Sequence, residues 1–173
     1  MRTKLLASSL ILGVGACSGD DDVSPPQQYV FEGEFTSLSE DFENLGGRVL
    51  ALTSGAVTTV SFDIAGLEPG TEISWTFREG VCDNPGEVVV DPGQLPPLEA
   101  DDLGRVVTGE QEPPPGQDEP DVPTPNPQLG VQLNPNTRYL IRLFEGTSPD
   151  GSPIACADLG EGEDPSSSAE PLP

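Results

Sequence analysis

Three cysteines and thirty carboxylates are the residues of this chain with the means to do chemistry. Thiols can pair, bind a soft metal or attack an electrophile. Carboxylates can share acid and base work or hold a hard cation. No histidine accompanies them. Its absence excludes a Ser-His-Asp triad, a Cys-His couple and any imidazole-ligated metal centre built from the chain's own side chains. The carboxylates are plentiful, but no spacing selects a catalytic pair. Asp101-Asp102 and the run from Glu161 to Asp164 could meet calcium loosely, yet the twelve-residue calcium loop is missing. Neither a Gly-x-Gly-x-x-Gly turn, a Walker loop nor a Gly-x-Ser-x-Gly elbow occurs. Thirty acids face only seven bases, a formal charge of −23, which excludes a basic nucleic-acid groove. The residues therefore nominate no catalytic group, no metal ligand and no cofactor.

The first cysteine belongs to a leader. Arg2 and Lys4 precede an apolar run from Leu5 to Val14, too short to span a bilayer as a helix. The run ends Val14-Gly15-Ala16-Cys17. Small residues directly before a cysteine resemble a bacterial lipobox. The resemblance implies a signal peptide over 1–16, cleavage before Cys17, and diacylglycerol and acyl (palmitate-type) chains on that residue. The alternative is an ordinary signal peptide with a cysteine near its cleavage site. Several acyl chains anchor durably where one would not, so the membrane is the expected partner and the cell envelope the expected address. Ser18 follows the cysteine, which resembles the pattern that lets lipoproteins proceed to an outer membrane; the extracellular face is the other address. Residues 17–28 form an acidic tether with Asp20-Asp21-Asp22 and Pro25-Pro26, too poor in apolar groups to fold. Removing the leader leaves five arginines, no lysine and thirty acids, a net of −25. Such a charge repels anionic headgroups, so acyl groups would hold the protein to its membrane.

From Tyr29 onward the main signal is period-two alternation. Val60, Phe62 and Ile64 share one face, with Ser61 and Asp63 on the other. Ile73, Trp75 and Phe77 alternate with Glu72, Ser74 and Thr76. Gly66 and Pro69-Gly70 place a turn between these two strands. Similar stretches at 29–35, 48–53, 87–90, 105–108, 129–133 and 138–144 make about eight short strands, the pattern of an all-β sandwich or barrel. Phe42 and Leu45 allow one helical turn at most. Residues 110–128 hold seven prolines and cannot supply a central strand, so they read as a loop insert. Residues 160–173 read as a disordered acidic tail. The folded domain is then 29–159.

With Cys17 carrying lipid, Cys82 and Cys156 remain as an even pair. Export favours a disulfide between them. Free thiols or a two-cysteine metal site are the alternatives, and without histidine the latter would need two carboxylates brought in.

Phe62-Asp63-Ile64-Ala65-Gly66-Leu67-Glu68-Pro69-Gly70 resembles the strand and turn of copper-zinc superoxide dismutases. Trp75-Thr76-Phe77-Arg78-Glu79-Gly80-Val81-Cys82 has the spacing of that family's His-x-His-x-x-Gly-x-Cys run. Gly93 to Arg105 is similar to a later family stretch, and Ile154-Ala155-Cys156 to its closing strand. The resemblance runs from about Thr58 to Leu159, outside the insert. It implies a Greek-key β-barrel or sandwich with a Cys82–Cys156 disulfide. A related domain type first known from chordin shares the fold, and Asn84 to Val90 slightly resembles one of its strands.

The resemblance does not carry the reaction across. Trp75 and Phe77 stand at two copper-ligand places and Phe144 at a third; Gln94 stands for a zinc-binding aspartate and Pro153 for an anion-guiding arginine. Indole and phenyl rings offer no lone pair to a metal. The three aromatics are read either as packing or as an aromatic patch for a partner. The expectation is a non-catalytic, lipid-anchored envelope protein with a structural or binding role. An acidic module for divalent cations and a remodelled metalloenzyme are the alternatives.

Overall fold

The computed structural model describes residues 27–109 and 125–164. The leader, Cys17, most of the tether, residues 110–124 of the insert and residues 165–173 lie outside them. Ten strands follow one another: β1 (Gln28–Ser37), β2 (Gly46–Ser54), β3 (Val57–Ala65), β4 (Glu72–Val81), β5 (Asn84–Val88), β6 (Leu98–Glu99), β7 (Val106–Val107), β8 (Gln128–Leu129), β9 (Tyr139–Glu145) and β10 (Ala155–Leu159). The described residues contain no α-helix. Two single 3₁₀ turns, Glu40–Phe42 and Pro92–Gln94, interrupt the strands. The first falls where one helical turn was expected, beside Phe42.

All ten strands join one antiparallel sheet. Its path is β5-β4-β9-β10-β1-β2-β3-β7, with β6 also on β4 and β8 also on β3. The all-β expectation holds, but the sheet does not close into a barrel. The free edge of β3 is taken by β7 and β8, and that of β4 by β5 and β6, so among the described residues no ladder joins the two ends. The sheet nevertheless curls over itself. Phe62 of β3 and Trp75 of β4 have four strands between them along the ladder, yet their ring centroids lie 5.0 Å apart.

Alternation decides what fills the space between. Val60, Phe62 and Ile64 of β3 turn inward and Asp63 outward, as the sequence pattern requires. Phe31 and Phe35 of β1, Val49 and Ala51 of β2, Ile73, Trp75 and Phe77 of β4, and Ile141 and Leu143 of β9 complete the main core. Each large side chain buried here contributes about 1.5–3 kcal/mol of transfer free energy. Gly33 lies between the two phenylalanines of β1. A Cβ there would stand 2.6 Å from the carbonyl oxygen of Asp158, so the residue lets β1 and the end of β10 approach closely.

The tail departs from expectation. Val30 and Glu163 exchange two backbone hydrogen bonds of 2.9 Å, and the Gly160 amide bonds to the Glu32 carbonyl. Residues 160–164 thus lie against β1, because an otherwise open stretch of its backbone needs partners.

Candidate functional site

The end of β4 builds a clasp. The ladder between β4 and β5 shifts register between Arg78 and Gly80. Gly80 has φ +97°, and a Cβ on it would meet the Asn84 carbonyl oxygen at 2.6 Å. Glycine is therefore the residue that can turn the strand here. A two-residue turn, Cys82-Asp83, then joins Val81 to its partner Asn84. Cys82 is linked to Cys156 of β10 across a Cα separation of 6.0 Å. The Cys82 amide donates to Asp158 Oδ1 at 2.6 Å, and Arg142 Nη2 donates to the Cys82 carbonyl at 2.7 Å. The expected disulfide is present, tying the β4–β5 turn to the outward face of β9 and β10.

The proposed aromatic patch does not exist as an exposed surface. Trp75 is 1% exposed and Phe77 is fully buried. Trp75 donates its indole N–H to the Pro96 carbonyl at 2.9 Å and sets its ring edge-on to Phe62. Phe77 packs on Tyr139. Phe144 is also buried, but it pairs with Ser74 and so lies on the opposite face of the sheet from Trp75 and Phe77. Strand parity is the reason: 75 and 77 are inward positions, and 144 is an outward one. The three places matched to copper ligands therefore do not converge. Gln94 is exposed on the second 3₁₀ turn, and Pro153 precedes the last strand.

The outward face of β4 and β9 carries the polar half of the β4 alternation. Ser74 and Thr76 are buried, only 6% and 4% exposed. Thr76 stands directly opposite Arg142, and Ser74 opposite Phe144. Ser74 Oγ, Thr76 Oγ1 and Arg142 Nε are buried without a hydrogen-bond partner among the described residues. The other buried hydroxyls are all engaged. Thr53 and Thr58 share a hydrogen bond of 2.7 Å, Thr58 reaches the Val131 carbonyl, and Thr108 bonds Asn126 and receives the Phe62 amide. Alternation reads only neighbours in sequence, whereas Arg142, opposite Thr76, is tied to Cys82, 60 positions away.

A second feature is a groove of about 710 Å³ over the outward face of β1, β2 and β3, lined by Glu32, Glu34, Arg48, Asp63, Arg138 and Asp158 among others. Arg78 donates twice to the Gly86 carbonyl, Arg105 pairs with Asp63 at 3.2 Å, and Arg142 holds Cys82. Arg48 and Arg138, the two arginines whose guanidinium groups make no such bond among the described residues, both line this groove. By register Arg48 stands between Glu34 and Asp63.

The carboxylates named for calcium do not gather. Asp101 Oδ1 closes its own turn by accepting from the amides of Leu103 and Arg105. No group of three or more Cys, Asp or Glu side chains among the described residues is placed to hold a metal ion. Comparison with protein-family models, with curated proteins and with solved structures finds no match to this chain.

Proposed function

We propose that the chain is a lipid-anchored, non-catalytic protein of the cell envelope, with a superoxide-dismutase-like Greek-key domain that has a structural or binding role. The observation carrying this reading is the packing of Trp75, Phe77 and Phe144. Two of the three places matched to copper ligands point into the core and the third lies across the sheet. None carries a lone pair for a metal, and the chain has no imidazole to replace them. A net charge of −25 after leader removal would also repel an anionic substrate such as superoxide. The room for a partner is the groove over β1–β3, where four carboxylates stand beside the guanidinium groups of Arg48 and Arg138.

The experiment is a superoxide decay assay on tag-free mature protein, loaded with copper and zinc and then desalted, with metal content read by mass spectrometry. No stoichiometric copper and no rate above the free-metal background are expected. A copper-dependent rate that survives desalting and disappears on unfolding would overturn the non-catalytic reading.

A further inference from the structure

We propose that Ser74, Thr76 and Arg142 form a binding site for a small inorganic anion of halide type, next to the disulfide-linked turn. Five polar residues are buried in the described structure: Thr53, Thr58, Ser74, Thr76 and Thr108. Three satisfy their hydroxyls within the protein. The remaining two are two residues apart on one face of β4, and the third orphaned atom, Arg142 Nε, belongs to the residue directly opposite Thr76. Residues directly opposite in an antiparallel pair bring their Cβ atoms to about 4.5–5.5 Å, and diagonal neighbours to about 7–8 Å. Three unmet polar atoms thus fall within one side chain's reach of each other.

Their chemistry is of one sign. Arg142 Nε is a charged donor with no acceptor capacity, and both hydroxyls can turn a proton toward a shared acceptor. Among the described residues no carboxylate lies within ion-pair distance of Arg142. Asp158, on the neighbouring strand, gives Oδ1 to the Cys82 amide instead. A buried guanidinium nitrogen without an acceptor is costly, and a monatomic anion meets it and both hydroxyls at once. Ser74 and Thr76 are more than nine-tenths buried, Arg142 is half-buried, Phe144 stands opposite Ser74, and Arg142 Nη2 is fixed to the Cys82 carbonyl. One guanidinium N–H and two hydroxyls suit a single-atom ligand better than an oxyanion of three or four oxygens.

Chloride is the probe. The full mature protein is melted in buffers of matched ionic strength, with gluconate replacing chloride. A ligand that binds only the folded state multiplies the folded-to-unfolded ratio about tenfold for each tenfold rise in its concentration above Kd. The expected result is a rise in Tm that sets in near Kd and continues at about 5 °C per decade of chloride above it. The rise should vanish in Thr76→Val and Ser74→Ala, which remove a donor with little change of shape. Bromide gives an independent readout through its anomalous scattering. In crystals soaked with bromide the anomalous peak should lie beside Ser74, Thr76 and Arg142, and it should be missing from Thr76→Val crystals. A Thr76→Val protein as stable as the parent or more so in chloride would mean a dry, unpaired hydroxyl and would overturn the site. So would a Tm independent of chloride; if Thr76→Val is also destabilising, the ligand is a water molecule.

Discussion

Trp75 shows how strand parity sets the role of a single residue. Its indole lies in the core at 1% exposure, touches Phe62 and holds the Pro96 carbonyl. Truncation would leave a large cavity and an unmet carbonyl. Trp75→Ala should therefore lower stability by about 3–5 kcal/mol, read from the midpoint of urea unfolding at unchanged slope. A loss below about 1 kcal/mol would place the ring at the surface instead. The inward direction of Trp75 was legible in the sequence, since Ile73, Trp75 and Phe77 form one apolar set. The resemblance to a ligand motif pulled the other way, toward a shared aromatic surface with Phe144. Parity on two separate strands decides against it: Ser74, not Trp75, shares the face of Phe144. The burial of Ser74 and Thr76 was not legible, because polar alternation normally marks a wet face and here those positions are covered.

At the scale of elements, the clasp is the device that holds the sheet's β4–β5 end in place. Cys82 and Cys156 close a loop across a separation of 74 residues, which restricts the unfolded chain by about 4 kcal/mol in the entropy model. The same turn is held by Asp158 and Arg142. Cys156→Ala should cost about 2–5 kcal/mol, measured by denaturant unfolding under non-reducing conditions. If the variant unfolds at the parent's midpoint, the bond is not what fixes the turn. The strands themselves were largely legible. Val57–Ala65 and Glu72–Val81 cover the two segments with clear alternation, and β9 covers most of 138–144. Segment 129–133 was overextended, because only Gln128–Leu129 pairs with β3. Whether the sheet closes was not legible. Closure depends on which short segments occupy the edges of β3 and β4, and β6, β7 and β8 are two residues each. Pairs that short leave no periodicity to read. The pairing of Glu163 with Val30 was hidden for a related reason, since an acidic, glycine-rich composition reports solubility and says nothing of a backbone bridge.

On the proposed reading the whole molecule combines an acidic domain with a short leash. The described structure begins beside β1, and residues 17–27 span at most about 40 Å when fully extended. On the proposed reading the domain rides close to its membrane while its charge keeps it from lying on anionic headgroups. No helix among the described residues is long and apolar enough to cross a bilayer. The account therefore stands or falls on Cys17. Mass spectrometry of the mature protein should find Cys17 as the N-terminal residue, carrying the added mass of diacylglycerol and an acyl chain. In parallel, Cys17→Ser should abolish processing or move the protein from the membrane fraction to the soluble one. An unmodified N-terminus, or a Cys17→Ser protein that is processed and fractionates as the parent does, would contradict the account.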